Sequence, residues 1–121
     1  TITPSEYLRL YGNNLDTIDQ LYPASWFQSN YATWIGESDE NQAWDNLYRT
    51  RSDFEEAKKS GNFSQEQLDQ AYEYILLAEG SDWFWWYGLD QDSTVDYYFD
   101  QAFKDLLNMV YLSLGLEQPN F

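Results

Sequence analysis

The residues best equipped for chemistry in this chain lie between Ala78 and Gly88. Glu79 and Asp82 stand beside Trp83, Phe84, Trp85, Trp86 and Tyr87, five rings in a row bracketed by Gly80 and Gly88. A buried helix needs one apolar stripe and a buried strand favours β-branched side chains, so five adjacent rings exceed what one core face can absorb. Indoles receive the apolar face of a pyranose while carboxylates and amides take its hydroxyls. The stretch reads as a carbohydrate platform or, alternatively, as a structural aromatic cluster joining two helices.

Other chemistries are limited by composition. The chain has no histidine and no cysteine, which removes Ser-His-Asp and Cys-His triads, thiolate metal sites and disulfides. Any catalysis would rest on carboxylates, and Glu37, Glu79 and Asp82 sit near rings. Glycosidases work with two such acids flanking the scissile bond. With 21 acidic residues in the chain, however, this proximity is a weak signal, and surface, capping or sugar-binding roles come first. Asp90, Asp92 and Asp96 alternate with other oxygen ligands in a way that could hold calcium. The spacing departs from an EF-hand loop, whose sixth-position glycine and twelfth-position glutamate are here Val95 and Gln101. A loop capping the next helix is the simpler reading.

A formal charge of -15 opposes nucleic acid and anionic membrane surfaces and suits a neutral ligand. It also fits work in acid or at high salt. No apolar run approaches the roughly 20 residues of a membrane span. At 121 residues the chain fits one helical domain over 1–121. It opens without an initiator methionine and closes on a linker-like Glu117-Gln118-Pro119, so it is expected to be excised from, or appended to, a larger protein.

The elements that must position these residues are helices. Thr3-Pro4-Ser5-Glu6 forms a capping box opening a helix to about Tyr11, and Leu15, Ile18 and Leu21 suggest another turn or two before Pro23. From Pro23 to Glu40 no period holds, yet Trp26, Phe27, Tyr31 and Trp34 crowd a long loop. Ala43, Trp44, Leu47, Tyr48, Arg51, Phe54 and Glu55 then share a stripe, ending near Gly61. Ser64 caps the next helix, with Leu68, Ala71, Tyr72, Ile75 and Ala78 as its buried stripe. Continued across Gly80, it would put Glu79, Trp83, Trp86 and Tyr87 on one face. Ser93 to Asp96 caps a last helix through Phe99, Phe103, Leu106, Val110 and Leu114, stopped by Gly115. The expected fold is an all-α antiparallel bundle of four to five helices with ring-rich loops collected at one end.

Two strings together resemble a known family. Ala78-Glu79-Gly80 followed by Ser81-Asp82-Trp83-Phe84-Trp85-Trp86-Tyr87-Gly88 resembles the last conserved region of glycoside hydrolase family 57, in its amylopullulanase and α-amylase-like members. Ser25-Trp26, Thr33-Trp34-Ile35-Gly36-Glu37, Asn41, Ala43-Trp44, Leu47 and Arg51 are similar to the segment preceding that region. Asp100, Phe103, Leu107, Val110-Tyr111, Leu114-Gly115 and Pro119 look like the family's closing helix. Leu89 departs from the pattern, where many relatives carry an acid.

The resemblance implies a helical module of a retaining α-glucan hydrolase acting on starch, glycogen or pullulan. The catalytic Glu and Asp would lie on a barrel domain of the same parent chain, leaving no catalytic residue here. Asp82 would accept hydrogen bonds from glucose hydroxyls and Trp83 and Trp34 would stack on sugar. Glu37 and Glu79 are second choices, and Trp86 completes the candidate set, although Trp85 or Trp86 would also suit packing against the barrel. No cofactor is expected beyond the calcium considered above. An extracellular setting follows if the parent digests external starch. A stand-alone carbohydrate-binding module and a purely structural interdomain bundle are the rival readings.

Overall fold

Three amphipathic helices supply the core, and their apolar residues fix how they run. In the computed structural model, which describes residues 1–91 and 93–121 and only the backbone of Asn14, α1 spans Pro4–Tyr11, α2 Ser38–Ser60, α3 Gln65–Ala78, α4 Ser81–Trp85 and α5 Asp96–Leu114. No strand occurs among the described residues, and the fold is all-α.

One core cluster joins Phe54 and Ala57 of α2 to Ala71 and Ile75 of α3 and to Val110, Tyr111 and Leu114 of α5. A second joins Ala43 and Leu47 to Ala78, to Phe84 of α4, and to Phe103 and Leu107. Residue numbers rise from the second cluster to the first along α2 and α5 and fall along α3. Helix α3 is therefore antiparallel to both neighbours, while α2 and α5 run the same way. Ile75, Phe103 and Leu107 are wholly buried, which at ordinary transfer energies stabilises the fold by roughly 1.5–3 kcal/mol per side chain.

Local chemistry sets the helix ends. The Thr3 hydroxyl accepts from the Glu6 N–H at 3.3 Å, and the Glu6 carboxylate accepts from the Thr3 N–H at 2.8 Å. Ser64 and Gln67 repeat this box on α3. Gly61 and Gly115 close α2 and α5 in the left-handed region, at φ 70° and 68°.

Several expectations are corrected. Residues 15–22 are not helical: Leu15, Ile18, Leu21 and Tyr22 are exposed, and nothing packs on the stripe that their spacing suggested. Helix α2 begins at Ser38, earlier than the change of period at Glu40. Tyr48 lies outside the stripe, while Glu40, Thr50 and Ala57 are inside it. The third helix does not continue across Gly80. It ends at Ala78, Gly80 takes an extended conformation as N-cap, and α4 starts afresh. The last helix begins at Asp96, whose carboxylate reaches back to accept from the Ser93 N–H at 2.9 Å.

Because α3 ends where α2 and α5 begin, the loop preceding α2, α4, and the segment from Trp86 to Val95 gather at one pole of the bundle. That pole holds the rings. Among the described residues no helix is long and apolar enough to cross a membrane.

Candidate functional site

The loop before α2 is shaped by short polar contacts that leave its rings outward. Ser25 donates its hydroxyl to the Asn30 carbonyl at 2.6 Å and accepts from the Phe27 N–H at 3.2 Å. Gln28 and Ser29 take positive φ of 51° and 53°, turning the chain sharply so that Trp26 stands clear while Phe27 is half-buried. Asn41 then clamps Gly36, its Oδ1 accepting from the Gly36 N–H at 3.1 Å and its Nδ2 donating to the Gly36 carbonyl at 3.2 Å. The Trp44 indole N–H donates to the Trp34 carbonyl at 2.7 Å, and its ring stacks on Phe84 at 3.8 Å and 11°.

Onto this loop α4 presents Trp85. Its ring lies parallel to Trp26, with centroids 6.0 Å apart, and edge-on to Phe27 at 4.9 Å. Trp34 is tilted against Trp85 at 5.5 Å. Trp26 is 79% exposed, unusual for so large a ring. Two shallow cavities share this surface. One, of about 320 Å³, lies among Trp26, Trp34, Ser81, Asp82, Trp85 and Trp86. The other, of about 450 Å³, lies among Trp26, Tyr31, Trp34, Trp44, Glu79 and Ser81. Trp26, Trp34 and Ser81 border both. A third cavity of about 350 Å³ opens beyond Trp86, towards Gln42, Asn46 and Asp96.

The candidate residues fall into two groups. Asp82, Trp34 and Trp86 meet at the first cavity, where Asp82 is exposed. Trp83 turns away from them. Its N–H donates to the Leu77 carbonyl at 2.8 Å and its ring packs edge-on to Phe99 and tilted against Phe103, because the break at Gly80 rotates α4 relative to α3. Glu79 borders the larger cavity but is paired with Arg51. Glu37 accepts from the Leu89 N–H at 2.9 Å and so ties the turn after α4 to the start of α2. Trp86 stacks on Phe99 at 5.2 Å.

The acids considered for calcium have these partners. Asp90 accepts from the buried Thr33 hydroxyl at 2.6 Å, Asp96 faces the Ser93 backbone, and Asp92 lies outside the described residues. Among the described residues no group of three or more acids is disposed to hold a metal.

Sequence reasoning did not single out Trp26, Trp85 or Glu40 as site residues. Trp26 and Trp85 were visible as rings, but their pairing depends on the turn at Gln28 and Ser29. Glu40 is fully buried. Its Oε2 accepts from the Glu37 N–H at 3.0 Å, and its Oε1 has no partner among the described residues. Burial pushes its carboxyl above the usual range, and the neighbouring charges of Glu37 and Asp90 push the same way, against the lowering effect of that hydrogen bond.

Comparison with family models, with curated proteins and with solved structures returned no match to this chain.

Proposed function

We propose that this chain is the helical module of an α-glucan-active glycoside hydrolase similar to family 57 and supplies part of the wall of its substrate cleft. The nucleophile and the acid/base belong, on this reading, to a barrel of the parent protein. The observation that carries the proposal is the surface on which Trp26, Trp34 and Trp85 surround Asp82 and Ser81 without being sealed into the core. Rings give a sugar its apolar platform, and the carboxylate and hydroxyl beside them take its hydroxyl groups. A neutral polymer also suits a chain of charge -15.

Calorimetric titration of the chain with maltooligosaccharides tests this. Trp26→Ala should weaken binding about two- to ten-fold, the equivalent of roughly 0.5–1.5 kcal/mol for one aromatic contact, with an unchanged circular dichroism spectrum. Binding that Trp26→Ala leaves unchanged removes this surface from the cleft wall. Absence of binding at millimolar sugar leaves a cleft that needs the barrel and the structural interdomain bundle, and one separate observation favours the bundle: Ile18, Leu21 and Tyr22 form an exposed apolar stretch ahead of α2.

A further inference from the structure

The cavity beyond Trp86 has a different character from the indole-lined surface. It measures about 350 Å³, at the lower end of the roughly 300–1,000 Å³ usual for small-molecule sites. Polar groups share its walls with rings: the carboxamides of Gln42 and Asn46 and the carboxylates of Asp39 and Asp96 stand beside Trp86 and the largely exposed Tyr97. Asp96 borders the cavity, and its Oδ2 accepts from the Ser93 N–H at 2.9 Å. Asp100 and Lys104 are already occupied, since Asp100 accepts from the Tyr87 hydroxyl at 3.0 Å and pairs with Lys104 at 2.9 Å.

Trp86 forms a wall of both this cavity and the indole-lined one, just as Trp26, Trp34 and Ser81 form walls of the two indole-lined cavities. The three hollows are thus consecutive along the ring-rich pole. We infer that they form one groove and that the polar cavity beyond Trp86 is its far end, so that the site takes an extended oligosaccharide. The inference rests on the cleft-wall reading above and adds a second binding segment to it. Each carboxamide offers both donors and an acceptor, the pattern needed to hold vicinal hydroxyls. The carboxylates of Asp39 and Asp96 on the cavity wall oppose an anionic ligand. The series of hollows joined through shared side chains suits a chain of sugar units better than separate monosaccharides.

Binding of maltotriose and maltoheptaose to the wild type, to Trp26→Ala and to the double variant Gln42→Ala/Asn46→Ala tests the inference. Gln42 is exposed and Asn46 half-buried, and the Thr50 hydroxyl that rests on position 46 uses its backbone carbonyl, so the double variant keeps its fold; a thermal melt verifies this. The wild type should prefer the longer sugar. The double variant should lose about five-fold in affinity for maltoheptaose and bind maltotriose as before, whereas Trp26→Ala should weaken both. If the double variant retains full maltoheptaose affinity while Trp26→Ala loses it, the groove ends at Trp86 and the extension is wrong, although the cleft wall stands. Equal losses for both sugars in the double variant also overturn the extension. A wild type that binds neither sugar overturns the extended groove on this chain and leaves a cleft that needs the barrel.

Discussion

Gly88 lies so close to Glu40 that a Cβ built on it would stand 3.0 Å from the Glu40 Oε1 and 3.3 Å from the Glu37 Oε2. The backbone there has φ +85°, which side-chain-bearing residues rarely adopt. The turn after α4 is thus pressed onto the start of α2, and a methyl group there would need the two carboxylates to shift by a few tenths of an ångström. Gly88→Ala should destabilise the protein by about 1–3 kcal/mol, read as a lower urea midpoint with an unchanged slope.

Glu40 makes the same junction pH-dependent. Its folded-state carboxyl titrates above the ordinary 4.5 because burial disfavours the charge, helped by Glu37 and Asp90. The stability that the neutral group contributes is complete below that ordinary value and is lost as pH rises through the raised one. Glu40→Gln keeps an acceptor for the Glu37 N–H and cannot ionise. The variant should be more stable than the wild type at pH 7 by about 1 kcal/mol and should show a smaller gain between pH 7 and pH 5 in urea melts.

Trp44 joins the core to the loop through two contacts of different kinds, a stack on Phe84 and a hydrogen bond to the Trp34 carbonyl. Trp44→Phe retains a ring for the first and deletes the second. A loss of about 0.5–1.5 kcal/mol in thermal or chemical unfolding is expected, together with weaker sugar binding, because Trp34 is then held less firmly.

How far these relations could be read beforehand depends on their range along the chain. The Thr3–Glu6 and Ser64–Gln67 boxes and the stops at Gly61 and Gly115 involve residues a turn apart, so sequence spacing alone reveals them. Leu15, Ile18 and Leu21 have helical spacing too, yet remain exposed, because periodicity stabilises a helix only when another surface receives the stripe. The break at Gly80 was hidden because ring identity says nothing about whether the Trp83 N–H will meet the Leu77 carbonyl. The burial of Glu40 was equally hidden: its cause lies 48 positions away, at Gly88.

Tyr111 offers a check at alkaline pH. Its hydroxyl donates to Asp53 at 2.7 Å, and burial, with that bond, pushes its phenol up to about 12 from the ordinary 10. Stability should hold below pH 10 and fall between there and pH 12, as the fold resists an ionisation that the unfolded chain accepts. Tyr111→Phe should cost about 1 kcal/mol at pH 7 and flatten part of the alkaline decline. Some decline remains, because burial raises Tyr87 as well.

The shared direction of α2 and α5 has an electrostatic consequence. Both helices point their amino ends at the ring-rich pole, and each such end carries about half a positive charge from its aligned peptide groups. Glu37, Asp39 and Asp96 sit at or within the first turns of these two helices. The peptide backbone thereby acts as a counterion for these acids. A chain with six basic side chains against twenty-one acidic ones can thus concentrate carboxylates where a ligand would meet them, without lysines or arginines competing for the same oxygens.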